Sequence, residues 1–140
     1  MLAHGIDGSP WLMLVDDDQI SAMAVRRMMA RLGRDLPLLH AIDGVDALDH
    51  LQMSGHPRPT VMLLDLYMPR MGGLDLLHCM AAMPGRDRIS VFLMTSSDTP
   101  RHLCAGYEND ITGFIYKDRD FDGLATALAQ LEPATRALAG

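Results

Sequence analysis

The chain has 140 residues, 49% of them hydrophobic, and a formal net charge of −6 at pH 7. This length favours one domain with one core, and the acidic balance argues against a nucleic-acid-binding surface. No apolar run approaches the ~20 residues that span a bilayer, and the N-terminus lacks the layout of a secretory signal, so we expect a cytoplasmic protein without a membrane segment.

The positions of the cysteines and arginines argue against a disulfide-rich scaffold and against a basic phosphate-binding patch. Cys79 and Cys104 are too few for a disulfide framework, and neither belongs to a C-x-x-C motif. The one arginine cluster falls on the exposed side and the end of a predicted helix, and we interpret it as a solvated face. Its members are Arg26, Arg27, Arg31 and Arg34.

The first third of the chain alternates strand-like and helix-like patterns. Residues 11–15 are continuously apolar, as in a strand buried on both faces. An apolar stripe then predicts a helix over 19–32, and Gly33 stands where a helix C-cap belongs. A second strand over 36–41 and a second helix over 45–53 follow.

Three more predicted strands, each followed by a predicted helix, complete the alternation. The predicted strands are 60–64, 89–94 and 112–116, and the predicted helices are 74–83, 100–107 and 121–131. Five consecutive βα units predict an α/β fold with a doubly wound parallel sheet and helices on both faces. We expect one domain over 11–132, between tails at 1–10 and 133–140.

Polar residues follow the strands, where ligands of such sheets bind. The residues directly after the first, third, fourth and fifth strands are Asp16, Asp17, Asp18, Asp65, Thr95 and Lys117. Crowded carboxylates repel one another, and a hard cation such as Mg²⁺ relieves this repulsion. A carboxylate is also the best nucleophile of the set, which points to an aspartyl phosphate, with Lys117 and Thr95 stabilising the transferred group.

Each residue also has a simpler interpretation. Asp16 to Asp18 are compatible with an N-cap cluster, Asp65 with a turn, Thr95 with a helix cap and Lys117 with a solvated strand end. The shared sheet edge favours a joint role.

Five segments stand in a specific order: Leu-Val-Asp-Asp-Asp at 14–18, Ala-Ile-Asp-Gly-Val-Asp-Ala-Leu at 41–48, Leu-Leu-Asp-Leu-Tyr-Met-Pro-Arg-Met-Gly-Gly at 63–73, Met-Thr-Ser-Ser at 94–97 and Gly-Phe-Ile-Tyr-Lys at 113–117. In this order the chain resembles a stand-alone response-regulator receiver domain, the fold of the chemotaxis response regulator. The resemblance implies a flavodoxin-like (βα)5 sheet with strand order 2-1-3-4-5.

The resemblance also implies roles for single residues. Asp65 would be the phosphoacceptor for a phosphohistidine on a sensor histidine kinase. Mg²⁺ would be held by Asp16, Asp17, Asp65 and the backbone carbonyl of Tyr67. Lys117 would contact the phosphoryl group.

A switch is implied as well. Thr95 would move towards the phosphoryl group, and Phe114 would fill the space that Thr95 leaves. Phe114 stands where the family more often has Tyr, and the alternative of a fixed core ring stays open.

The sequence departs from the family pattern after the fifth strand. Asp118 follows Lys117 where the family usually has a cis proline, so we expect a trans peptide and a reshaped loop. Tyr67 and Ser97 occupy positions that tune water access to the acyl phosphate.

Two other functions compete with this prediction. An Asp-nucleophile phosphatase of the haloacid-dehalogenase type needs a second acid at position 67, where this chain has Tyr. A binding module that no longer accepts phosphate is disfavoured by the intact acidic set, Thr95 and Lys117. We therefore expect a non-enzyme with self-catalysed phosphorylation and dephosphorylation only.

Without an output domain, signalling is expected to pass to a downstream protein or, in a phosphorelay, to a histidine phosphotransfer protein. We also expect phosphorylation-sensitive homodimerisation through the face of the fourth helix, fifth strand and fifth helix, which includes Arg101, Tyr107 and Tyr116.

Overall fold

In a computed structural model of the chain, residues 10–33, 36–53 and 58–131 are described. The predicted C-terminal tail lies outside these ranges, and so does the N-terminal tail apart from Pro10. Arg34 of the arginine cluster also lies outside them. The predicted domain boundaries therefore stay predictions. None of the helices in the described ranges is long and apolar enough to cross a membrane.

The described residues form a five-stranded sheet whose strands all pair in parallel, with the order β2-β1-β3-β4-β5. This confirms the predicted fold class and strand order. The strands are β1 (Leu12–Val15), β2 (Leu38–Ala41), β3 (Val61–Asp65), β4 (Ser90–Thr95) and β5 (Gly113–Tyr116). The α-helices within the described residues are α1 (Gln19–Arg31), α2 (Gly44–Gln52), α3 (Gly73–Met80) and α4 (Leu124–Ala129).

The sheet divides the core into two apolar layers. Met13 and Val15 of β1 face a layer that includes residues of α2 and α3, whereas Leu12 and Leu14 face a layer that includes residues of α1 and α4. Successive side chains of a strand point to opposite faces, so a strand covered on both sides is apolar throughout. This explains the continuous apolar run that predicted β1, whose residues are fully buried.

The strand register aligns the residues that follow the strands. Val15 of β1 pairs with Leu64 of β3, so Asp16 and Asp65 are next to each other at the carboxyl edge of the sheet. On the far side of β3, β4 and then β5 continue the same edge.

The predicted fourth helix over 100–107 is wrong. The chain instead forms a 3₁₀ turn at Arg101–Cys104 and another at Glu108–Asp110. Pro100 has an extended backbone and Gly106 has φ +90°, so too few residues remain between them to nucleate an α-helix. The face predicted for dimerisation therefore contains short turns where a fourth helix was expected.

The last helix is also shorter than the predicted 121–131. A 3₁₀ turn occupies Lys117–Arg119, and Asp120 and Phe121 adopt left-handed backbone conformations before α4 begins at Leu124. No cis peptide bond occurs in the described part of the chain, so the Lys117–Asp118 bond is trans as expected, and the loop is reshaped. The other element ends coincide with the predictions or differ from them by at most three residues.

Gly33 confirms its predicted place at the end of α1. Its φ is +69°, and its N–H donates to the carbonyl of Ala30. A residue without Cβ adopts this left-handed conformation without strain.

Candidate functional site

The acidic segment after β1 supplies both the N-cap of α1 and carboxylates at the edge of the sheet. Asp18 is the N-cap of α1, and its Oδ1 accepts a hydrogen bond of 2.9 Å from the N–H of Ile20. Asp16 is fully buried, and its Oδ1 accepts a hydrogen bond of 2.9 Å from the N–H of Asp18. Asp17 is exposed. The capping interpretation therefore holds for Asp18, while Asp16 and Asp17 belong to the carboxylate cluster described below.

Lys117 reaches the acidic residues from the far side of the sheet edge. Its Nζ lies 2.7 Å from Asp16 Oδ2 and 3.5 Å from Asp65 Oδ2, although Lys117 and Asp16 are 101 positions apart in the sequence. Burial alone would lower the pKa of Lys117, but the hydrogen bond to Asp16 and the charges of Asp16 and Asp65 outweigh it and raise that pKa. The ammonium group therefore stays charged between the two carboxylates.

Asp65 ends β3 with 8% of its surface exposed. Burial, followed by the charge of Asp16, raises the pKa of Asp65 to about 7, against the opposing effects of Lys117 and of the Tyr67 N–H. That N–H lies 3.4 Å from Asp65 Oδ1. A further cation at this site would favour the ionised, nucleophilic form of Asp65.

The donor set fits a divalent cation. One carboxylate oxygen from each of Asp16, Asp17 and Asp65 lies within 4.8 Å of the other two. Hard divalent ions prefer such oxygen ligands, and one ammonium group cannot balance three carboxylates. Tyr67 follows in the loop after β3 with its side chain exposed, and its role as a carbonyl ligand stays a prediction.

Thr95 ends β4 and is buried. Its Oγ1 lies 2.7 Å from Thr99 Oγ1, within the loop that follows β4. The sheet edge thus brings together Asp16, Asp17, Asp65 and Lys117, whereas the hydroxyl of Thr95 is engaged by its own loop. The predicted move of Thr95 towards a phosphoryl group would break this hydrogen bond.

Phe114 lies in β5, half-buried against the core layer of α2 and α3. The guanidinium carbon of Arg101 lies 4.1 Å from the centroid of its ring. The ring of Tyr116 stacks with that of Phe114 at a centroid distance of 6.3 Å and an interplanar angle of 9°. Arg101 also donates to the hydroxyl of Tyr116. The sequence predicted Arg101 and Tyr116 on one face and Phe114 as the aromatic residue of a switch, but it did not predict these contacts.

Two contacts around the site were missed by sequence reasoning. Asp118 accepts hydrogen bonds from the N–H and the hydroxyl of Ser97, and these bonds lower the pKa of Asp118. Arg70, in the loop after β3, binds Asp43 at the start of α2. The replacement of proline by Asp118 was a usable signal for the first contact. In the second contact, Arg70 has a left-handed backbone, at φ +65°, which no sequence pattern indicated.

A close backbone approach fixes the start of α3 beside the site. A Cβ atom on Gly73 would lie 2.5 Å from the carbonyl oxygen of Asp65, so only glycine allows α3 to begin there. This places the first residue of α3 directly against the end of β3.

The family model for the response regulator receiver domain matches residues 12–129. The chain belongs to this family. Receiver domains accept phosphate from histidine kinases in two-component signalling, and the acidic cluster with its lysine lies in this receiver at the carboxyl edge of the sheet.

Relatives of this receiver include a response regulator of similar length. Response regulator Rcp1 of Synechocystis is 28% identical over 125 residues, which cover 86% of this chain and 85% of that protein.

Solved structures of response regulators are similar to this receiver. The bacteriophytochrome response regulator AtBRR is 26% identical, with a TM-score of 0.72 over 88% of this chain and 92% of that one. The Mn²⁺-bound form of response regulator Rcp1 is 27% identical, with a TM-score of 0.70 over 86% and 89%.

Proposed function

We propose that this receiver is a two-component response regulator in which Asp65 accepts a phosphoryl group from a phosphohistidine of a sensor histidine kinase. The observation that carries the proposal is the position of Lys117 Nζ between Asp16 and Asp65, in a carboxylate cluster suited to a divalent cation. Family membership supports the same assignment.

The transfer follows from the chemistry of these groups. A carboxylate oxygen of Asp65 forms a bond to phosphorus while the N–P bond of the phosphohistidine breaks, and its electron pair stays on the imidazole nitrogen. Lys117 stabilises the negative oxygens of the transferred group, and the hydroxyl of Thr95 donates to one of them once it leaves Thr99. Mg²⁺, when bound by Asp16, Asp17 and Asp65, would offset further negative charge.

Return to the starting state is a hydrolysis. A water oxygen forms a bond to phosphorus, the bond between phosphorus and Asp65 breaks, and inorganic phosphate leaves. Because the chain modifies its own side chain, we assign it a role as a phosphoacceptor rather than as a turnover enzyme. The signal would pass through Thr95 and Phe114 to a partner protein, either a downstream target or a histidine phosphotransfer protein of a phosphorelay.

Incubation with acetyl phosphate and Mg²⁺, followed by intact-mass measurement, tests the chemistry. The wild-type chain should gain one phosphoryl group, and Asp65→Asn should gain none. Asp75→Asn is a matched control, because Asp75 is an exposed carboxylate near the start of α3. A mass gain that persists in Asp65→Asn would place the acceptor elsewhere.

The same preparation separates the phosphatase alternative. A haloacid-dehalogenase-type enzyme would hydrolyse many equivalents of p-nitrophenyl phosphate, with saturation kinetics that depend on Asp65. A phosphoacceptor would show no such turnover. The exposed tyrosine at position 67, where that enzyme class needs an acid, favours the second outcome.

A further inference from the structure

The loops that follow β4 and β5 are joined by both oxygens of one carboxylate. Asp118 Oδ1 accepts a hydrogen bond of 2.8 Å from the N–H of Ser97, and Asp118 Oδ2 accepts one of 2.6 Å from the Ser97 hydroxyl. Hydrogen bonds to an ionised acceptor are stronger than neutral ones. The two bonds also lower the pKa of Asp118, because they favour the ionised carboxylate.

Lys117 begins the loop that this carboxylate fixes. The loop leaves β5 at Tyr116, forms a short turn and returns to β5, where the N–H of Tyr116 donates to the carbonyl of Asp122 at 2.9 Å. That bond joins the two ends of the loop, and the Asp118–Ser97 bonds attach the loop to the loop that follows β4. No proline ring restrains the peptide after Lys117, so its backbone position depends on such contacts.

The side chain of Lys117 makes accurate placement of its backbone necessary. Lysine carries its charge on a flexible four-carbon stem with several rotamers, unlike a rigid donor. Its Nζ must nevertheless stay 2.7 Å from Asp16 and within reach of Asp65. If the loop moved, the Lys117 side chain would adopt many conformations in which its Nζ no longer contacts Asp16 and Asp65.

We propose that Asp118 is a positioning residue for phosphoryl transfer, which binds Ser97 and thereby holds the loop in the position from which Lys117 reaches Asp65. This inference rests on the proposed function, because it assigns a role to Asp118 only if a phosphoryl group is attached to Asp65. Asp118 acts through Lys117 and does not contact the transferred group.

Substitutions at Asp118 distinguish geometry from charge. Asp118→Ala removes both hydrogen bonds, and we expect it to weaken binding of the phosphoryl mimic beryllofluoride about tenfold. Asp118→Asn removes the charge but can keep both contacts, since its amide oxygen accepts from the Ser97 N–H and its amide nitrogen donates to the Ser97 hydroxyl. We expect Asp118→Asn to stay within about twofold of wild type.

Mg²⁺ affinity provides a readout that a structural defect would not reproduce. The ammonium of Lys117 repels a cation placed among the same carboxylates, so a displaced Lys117 leaves Mg²⁺ affinity unchanged or increased. General loosening of the site would weaken Mg²⁺ and beryllofluoride binding together. Calorimetric titration of Mg²⁺ alone, then of beryllofluoride in saturating Mg²⁺, measures both constants on the intact chain, and thermal unfolding shows that each variant is folded.

A double-mutant cycle tests whether Asp118 acts through Lys117. In the Lys117→Ala background, Asp118→Ala should cause no further loss of beryllofluoride affinity. An unchanged affinity in Asp118→Ala, a parallel loss of Mg²⁺ affinity, or an additive loss in the double variant would overturn the role of Asp118. Failure of the wild-type chain to bind beryllofluoride would instead overturn the proposed function itself.

Discussion

The guanidinium of Arg101 covers the ring of Phe114 at 4.1 Å from its centroid and also donates to the hydroxyl of Tyr116. The half-buried ring of Phe114 thus contacts both a cation and a second aromatic ring. If Phe114 moves inward when Thr95 turns towards a phosphoryl group, the contact with Arg101 must break. Arg101 would then stabilise the unphosphorylated arrangement.

Arg101→Ala should therefore tighten beryllofluoride binding. A cation–π contact at an exposed site contributes about 0.5–1 kcal/mol, which corresponds to roughly two- to fivefold in affinity. Arg101→Lys keeps a cation near the ring and should have a smaller effect. Calorimetric titration measures the difference, and unchanged affinity in Arg101→Ala would favour Phe114 as a fixed core ring.

The sheet could be predicted from the sequence because its central strands are buried on both faces. The uninterrupted apolar runs of β1 and β3 follow from that burial, and parallel order then places Asp16 and Asp65 at one edge. These inferences depend only on periodicity and on strand direction.

The contacts around the site could not be predicted in the same way. Asp118 and Ser97 are 21 residues apart, and Arg70 and Asp43 are 27 apart, each pair joined across irregular loops. The segment after Pro100 failed as a helix although residues 95–98 offered N-caps for one, because its 3₁₀ turn ends at Cys104, before the non-helical Ala105 and the left-handed Gly106. Hydrophobic periodicity does not report loop conformation, and loop conformation determines the two contacts as well as the failure of the predicted fourth helix.

Asp17 is expected to contribute to cation binding and little to folding, because its side chain is exposed while its carboxylate belongs to the cluster. Asp17→Asn should weaken Mg²⁺ binding about tenfold with a nearly unchanged free energy of unfolding. Calorimetry and urea unfolding measure the two effects.

Asp18→Asn is the matched control for Asp17. It removes the same charge one residue further along and keeps an N-cap side chain, so Mg²⁺ affinity should stay within about twofold of wild type. An equal loss in both variants would show that the cation responds to the general negative field rather than to a ligand at position 17.

Gly123 and Gly33 form a pair for testing steric demand before α4. Both have positive φ, at +102° and +69°, but a Cβ on Gly123 would lie 2.4 Å from the carbonyl oxygen of Phe114, whereas one on Gly33 would meet nothing within 4 Å. Gly33→Ala should cost about 1–2 kcal/mol from backbone strain alone. Gly123→Ala should cost clearly more, because backbone atoms of β5 must also move. Urea unfolding of both variants measures the difference, and equal losses would contradict the close approach.

Asp43 should make the stability of the protein sensitive to acid. Its buried carboxylate accepts a hydrogen bond of 2.8 Å from the N–H of Asp46 and one of 2.7 Å from Arg70 Nε. The backbone hydrogen bond from Asp46 lowers the pKa of Asp43, and Arg70 adds to this lowering against the opposing effect of burial. A carboxylate whose pKa is lower in the folded state stabilises the fold above its ordinary pKa of about 3.9 and loses that contribution as pH falls through the folded-state pKa.

Asp43→Asn isolates this charge, because asparagine is as good an N-cap as aspartate. At neutral pH the variant should be less stable than wild type by about 1–2 kcal/mol, and the difference should shrink as pH falls below about 4. Urea unfolding at a series of pH values measures it. The same substitution at the exposed Asp49 of α2 should leave a difference near zero throughout. A difference at Asp43 that stays constant down to the most acidic pH would mean that its ionisation does not stabilise the junction between α2 and the loop of Arg70.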